Sequence, residues 1–266
     1  MTALPLAAFP TAMRIYLIAL SLLLGLVMGS ALNCLAYRLA RGQKWSGGRS
    51  VCPSCGHTLG VPDLVPLFSW IFLGGKCRYC GKKISVRYPL TELTLGAVFA
   101  CLLLRFGLSV DTLVFMVLCA CLFCLSLVDL DVQLIPDRFL LIPALLRIAQ
   151  LLWQGGFAGL WQGLWPALAL GAFMLALVLL MEKVLKKEAM GGGDIKLLAM
   201  LGLYFSFPCC LLLLFLACIF GLGLAALTVR MQKSTAFPFG PAISAAAFCT
   251  LLFGSPLTSW YLGLFR

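Results

Sequence analysis

The chain contains several apolar runs of at least 18 residues, such as "IYLIALSLLLGLVMGSAL" at 15–32. Each is long enough, as a helix, to cross the ~30 Å hydrocarbon core of a bilayer. In lipid every backbone N–H and C=O must be satisfied internally, which leaves helices or closed barrels. The runs lack the strict alternation of a barrel strand. The expectation is an all-α polytopic membrane protein with about eight transmembrane helices, near 13–37, 89–107, 110–129, 136–154, 163–182, 194–207, 209–230 and 240–263. The sixth is the shortest and opens on glycines. The first is longer than a cleaved signal peptide and only Arg14 precedes it.

Charge sets the orientation. Charged residues make up 11% of the chain, against about 25% in a soluble domain. Of the 20 Lys and Arg, nine fall in the loop 38–88. Seven more, at Arg138, Lys183, Lys186, Lys187, Lys196, Arg230 and Lys233, reach the same side of an eight-span protein. Arg14, Arg105 and Arg266 remain opposite, and Arg147 falls inside a span. The positive-inside bias makes the loaded side cytoplasmic and both termini external. The net charge of +11 is met by anionic lipid headgroups and calls for no nucleic acid.

Three regions are expected: a first span (1–37), a polar cytoplasmic loop domain (38–88) and a seven-helix membrane domain (89–266). The loop reads "CPSCGH", then, 21 residues after its second cysteine, "CRYCGKK". Cys52, Cys55, Cys77 and Cys80 thus form two C-x2-C knuckles, each followed by a glycine, Gly56 and Gly81, where the backbone must curl back. Two knuckles make a tetrahedral S4 site, which suits structural Zn²⁺. A segment this small buries too little core to fold alone, so metal binding supplies much of its folding energy. Four thiolates fill the coordination sphere, which leaves His57 redundant as a ligand. The other nine cysteines lie mostly in apolar runs and read as small hydrophobes.

Of the nine acids, Asp63, Glu182, Glu188 and Asp111 read as solvated surface. Glu92 stands one turn into the second span, an expensive position for a carboxylate. Two further stretches place acids at the inner boundary: "SLVDLDVQLIPD", with Asp129, Asp131 and Asp137, and "GGGD", with Asp194 behind three glycines. Two carboxylates that share a site cannot both ionise, so the pair holds one base and one acid. Such a pair hydrolyses an amide with no nucleophilic side chain. The glycines permit positive φ and close approach of a substrate strand. A plain N-cap role for Asp194 is the bland alternative.

Intramembrane acids and a broken helix also fit a transporter or channel, but here the acids lie near one face and no second glycine break mirrors the first. A non-enzymatic assembly factor with a docking zinc ribbon is the third reading. It expects function to survive loss of both aspartates.

The chain resembles type IV prepilin peptidases, members of the GxGD aspartyl intramembrane proteases. The elements are "GSALN" at 29–33 with Arg38, the four cysteines with "PLFSWIFLGGKCRYCGKKIS", "RYPLTELTLG" at 87–96, "DLDVQLIPD" and "GGGD", in this order. Ala31 and "RLARG" depart from the usual Phe and Arg-Leu-Pro. The resemblance implies Asp129 and Asp194 as the catalytic pair, Asp129 standing seven residues before Pro136. It implies a bacterial inner-membrane enzyme of type IV pilus or type II secretion systems. Such an enzyme cleaves the basic leader of prepilins or pseudopilins on the cytoplasmic side and N-methylates the new terminus from S-adenosylmethionine. No Rossmann-type glycine loop is visible for that donor. Asp63, Asp131, Asp137, Glu182 and Glu188 are expected to offset the basic loop and attract the leader.

Overall fold

The computed structural model describes residues 4–44, 48–186, 190–230 (side chains to Leu227) and 238–264. Lys187, Glu188, Lys233 and Arg266 lie outside the described residues, as do parts of the expected loops 183–194 and 231–239. Eight α-helices are present among the described residues: α1 (Thr11–Ala40), α2 (Phe68–Phe72), α3 (Arg87–Phe106), α4 (Val110–Val132), α5 (Arg138–Leu185), α6 (Gly192–Gly202), α7 (Phe207–Arg230) and α8 (Gly240–Gly263). Six of these, all but α2 and α6, are long and apolar enough to cross a membrane.

Two of the expected spans lie within α5. Its 48 residues contain one non-helical residue, Gly156, at φ 56° and ψ −147°. In a straight helix Leu151 and Gly163 would stand about 18 Å apart. Instead a Cβ on Gly163 would lie 2.5 Å from Leu151 Cδ1, and one on Gly159 2.8 Å from the Leu151 carbonyl. The chain therefore reverses at Gly156, and α5 is a hairpin of two arms. The positive φ there is one that glycine adopts without a Cβ penalty.

The expected sixth span is α6, with 11 residues. At 1.5 Å per residue it covers about 16 Å, roughly half the hydrocarbon thickness. Its end is set by the turn at Leu203–Tyr204 and by the start of α7 at Phe207, with Pro208 in the first turn.

The chain forms two compact units, residues 1–128 and 129–266. In the first, α1 packs on α3. Glycines bring the two backbones together: a Cβ on Gly25 would lie 2.6 Å from Gly96 Cα, and one on Gly29 2.9 Å from Glu92 Cα. Small residues that let membrane helices approach closely gain dispersion energy. Asn33 Nδ2 donates to Thr91 Oγ1 across the same seam at 3.0 Å. In the second unit α6 packs on α5, and α7 on α8. Leu197, Leu198, Leu201, Leu213 and Ile243 form its fully buried core. A side chain on Gly202 would strike the backbone of Ala167, which locks α6 against the second arm of α5.

Candidate active site and metal centre

The two cysteine knuckles are built alike. Val51 bridges Thr58, and Lys76 bridges Lys83. Cys52 N–H donates to the His57 carbonyl and Cys77 N–H to the Lys82 carbonyl, both at 2.9 Å. The tight return passes through Gly56 (φ 71°) and Gly81 (φ 70°), whose left-handed conformations favour glycine. All four Sγ atoms lie within 4.8 Å of one another, and Cys52 Sγ is 4.0 Å from Cys80 Sγ. A tetrahedral S4 zinc site with ~2.3 Å bonds needs sulfurs about 3.8 Å apart, so the cluster fits such an ion with small adjustments. Backbone hydrogen bonds from Ser54 and Cys55 lower the Cys52 thiol to about 7 despite its burial, whereas Cys80, despite a backbone hydrogen bond at Lys82, is raised to about 11 by burial and by its bonds to the other three cysteines; the cluster divides its charge unequally in the absence of a metal. By its geometry the cluster is able to bind metal. His57 is not one of the clustered ligands; its ring stacks on Tyr79 at 3.6 Å.

Asp63 departs from the solvated-surface expectation. Its side chain is only 5% exposed and pairs with Arg78 Nε at 2.7 Å. Tyr79 Oη donates to it at 3.2 Å and Gly60 N–H at 3.1 Å. The hydrogen bond from Arg78 is the main influence holding the Asp63 carboxyl below the usual carboxylate range. One acid thus ties the turn at Gly60 to the second knuckle. It is spent on the loop's own architecture, as Asp137 is spent on an exposed 2.9 Å ion pair with Lys196. Glu92 is 6% exposed and accepts the N–H of Leu67 at 2.7 Å.

In the second unit the C-terminal end of α4 carries Asp129, which is 5% exposed, whereas Asp131 is exposed. Burial therefore separates two acids that spacing alone leaves ambiguous. Beyond them α4 ends: Gln133 turns left-handed at φ 53°, its N–H returning to the Asp129 carbonyl at 2.9 Å. Asp194 lies in the first turn of α6. Its Oδ1 is buried and has no hydrogen-bond partner among the described residues. Asp129 is close enough for its charge to act on Asp194. Both acids thus belong to the second unit, near enough for their charges to interact, and the exposed Asp137–Lys196 pair joins the 132–137 turn to α6.

The glycines act differently from the expectation. None of Gly191, Gly192 and Gly193 has positive φ. Only Gly191 is extended (φ −65°, ψ 137°), and the helix already begins at Gly192. Gly193 alone provides proximity to another element: a Cβ there would lie 3.0 Å from that of Ile135. Asp194 makes no side-chain cap, so the N-cap reading also fails.

Sequence reasoning overlooked Gly240. Its N–H, at the start of α8, donates to Asp129 Oδ2 at 2.9 Å, and a Cβ there would lie 2.7 Å from the same oxygen. The signal was present in "PFGP" at 238–241, a proline-flanked glycine opening the last helix.

Comparison with known proteins follows this division. The Bacterial Peptidase A24 N-terminal domain matches residues 23–106, which hold the cysteine cluster. The Type IV leader peptidase family matches residues 116–226, which hold both aspartates. A prepilin leader peptidase/N-methyltransferase of Stutzerimonas stutzeri is 34% identical, over 92% of this chain and 94% of that protein. The chain belongs to the prepilin leader peptidase/N-methyltransferase family. Other members so named are 34% identical in Burkholderia pseudomallei (strain 1026b; 95% of this chain, 90% of that protein) and 30% in Bacillus subtilis (strain 168; 92% and 98%). No solved structure matches the chain. As a family member the chain is a multi-pass membrane protein, and Gly240 lies beyond both matched domains.

Proposed function

We propose that the chain performs both reactions for which its family is named, cleaving the leader of type IV prepilins or pseudopilins and then methylating the new amino terminus. The observation that supports this reading is that Asp129, which is buried, and Asp194, whose Oδ1 is buried, lie in the same unit near enough for their charges to interact. Their surroundings differ. An N–H donor steadies negative charge on Asp129, while Asp194 holds a buried oxygen with nothing to accept from. The pair's charge is best placed on the first and its shared proton on the second.

Water then gives a proton to Asp129 as its oxygen bonds to the scissile carbonyl carbon, and Asp194 gives its proton to the carbonyl oxygen. The C–N bond breaks in the collapse of this gem-diol: the amine leaves with the proton held by Asp129, and one hydroxyl returns its proton to Asp194 as the C=O bond re-forms, which restores the pair. No side-chain nucleophile and no metal-bound water take part. The extended backbone at Gly191 supplies an edge beside which a substrate strand fits.

Zinc is the ion best matched to the four thiolates, in a structural role. S-adenosylmethionine would supply the methyl group to the new terminal amine, its sulfur keeping the electron pair of the broken C–S bond and the nitrogen releasing a proton to water. The excess of Lys and Arg in the connecting loops supports a cytoplasmic orientation for those loops in a bacterial inner membrane.

The test is incubation of purified protein with a synthetic prepilin and S-adenosylmethionine, read by product mass. A mature product one methyl heavier than the cleaved peptide supports both reactions. An intact substrate contradicts the reading.

A further inference from the structure

The stretch 61–72 of the cysteine loop carries its apolar residues on the outside. Val61, Leu64, Val65, Phe68, Ile71 and Phe72 are all exposed, Val61 at 77% and Phe72 at 84%. Its polar groups turn inward. Asp63 is held by Arg78, Tyr79 and the Gly60 N–H. The Leu67 N–H donates to Glu92 Oε2 at 2.7 Å, and Trp70 Nε1 donates to the Ile84 carbonyl at 3.3 Å. Asp63 is also the only charged residue in the sequence from Val61 to Gly75. A loop surrounded by water arranges itself the other way round. Apolar surface gathered in this manner marks a contact with protein or with membrane.

Depth decides between the two. α3 has 20 residues, about 30 Å at 1.5 Å per residue, which matches the hydrocarbon core. Its first residue, Arg87, therefore stands at the membrane boundary, and Glu92 lies about 7.5 Å further in. Side chains on a helix lean toward its N-terminus. The Glu92 carboxyl thus reaches back toward the boundary, and Leu67 meets it there. α2 begins at the next residue, Phe68. The stretch is held at the level of the lipid headgroups, where lipid is the partner always present. Lys76, Lys82 and Lys83 follow it and are exposed, which suits anionic headgroups. An apolar face with lysines beside it is the pattern of segments that lie in the interface.

We infer that residues 61–72 are an interfacial anchor whose apolar side chains enter the boundary between headgroups and acyl chains. The occupant of this surface is lipid. The cysteine loop then lies on the membrane instead of standing clear of it. The inference rests on the crossing of the membrane by α3 and on neither reaction proposed above. The competing occupant is a second copy of the chain.

Two measurements on the full-length, zinc-loaded protein in nanodiscs of phosphatidylethanolamine and phosphatidylglycerol test the anchor. The first places the photoreactive benzoylphenylalanine at Phe72 and, as a positive control, at Leu93, an exposed residue of α3. After irradiation, phospholipid adducts are expected at both positions by peptide mass. An adduct at Leu93 with none at Phe72 overturns the inference. A cross-link from Phe72 to a second copy of the chain also overturns it and makes the stretch a protein interface. The second is amide hydrogen exchange over residues 61–75 in the double variant Ile71→Ser and Phe72→Ser. Both side chains are exposed, so little of the protein's own packing is lost. Exchange is expected to be about tenfold faster than in wild type at unchanged zinc content, because the variant gives up apolar burial in lipid. Equal exchange contradicts the anchor.

Discussion

The N–H of Gly240 donates a 2.9 Å hydrogen bond to Oδ2 of Asp129, joining residues 111 positions apart in the chain. The start of α8 therefore fixes the orientation of a carboxyl on α4. A Cβ on Gly240 would lie 2.7 Å from that oxygen and 3.2 Å from Cγ. Gly240→Ala must push the carboxyl aside. Displacement of a reacting group by about 1 Å costs on the order of 100-fold in rate. The kcat for prepilin cleavage is expected to fall by about that factor while the protein remains folded in detergent. Full activity in this variant would show that the bond does not position Asp129.

The four-cysteine loop is expected to carry about one zinc per chain, measured by elemental analysis. Cys52→Ser or Cys77→Ser should lose most of the metal and expose residues 48–88 to protease. The buried pair is the informative one, because its loss cannot be made good by water. A metal-free preparation with an equally protected loop contradicts the structural role.

Asp63 has a signed pH dependence. The Arg78 hydrogen bond holds its carboxyl below the usual range. The stabilisation is therefore present above the unfolded value, about 3.9, and is lost as pH falls through the lower folded value. Asp63→Asn should make the loop more protease-sensitive at pH 7, and the difference from wild type should close as pH drops below about 4. A difference that is constant with pH would assign the effect to packing instead of charge.

Arg147 is in the first arm of the α5 hairpin. Its Nη1 donates to Gln150 Oε1 at 2.7 Å and its Nε to the Leu203 carbonyl at 3.3 Å, and the guanidinium lies 5.4 Å from the centre of the Tyr204 ring. It ties the hairpin to the end of α6, so Arg147→Leu is expected to cost about 1–3 kcal/mol. Thermal unfolding in detergent measures this. An unchanged midpoint would show that the arginine is dispensable for stability.

Much of this was legible before the structure, for definite reasons. Apolar run length yields the long helices, because the bilayer sets a minimum length. The C-x2-C spacing yields the cluster, because a knuckle is a local turn. What escaped depends on contacts between distant residues. The reversal at Gly156 joins what spacing reads as two separate spans into one hairpin. Asp63 looks like an ordinary loop acid until Arg78 and Tyr79 close on it. Asp129 is singled out over Asp131 in the sequence only by the resemblance, through its distance from Pro136; the structure adds that Asp129 is buried and held by the Gly240 N–H while Asp131 is exposed. The glycines before Asp194 were read as permitting positive φ and close approach of a substrate strand; none has positive φ, and Gly193 lies against Ile135, a contact that no local pattern reveals.

The central claim is that hydrolysis requires both Asp129 and Asp194. Its most direct test is cleavage of a synthetic prepilin by Asp129→Asn and Asp194→Asn, each of which keeps the side chain's shape and removes its ionisable group. The account predicts that each variant alone leaves the substrate intact, with unfolding midpoint and zinc content like those of wild type. Cleavage at near wild-type rate by either variant would contradict it.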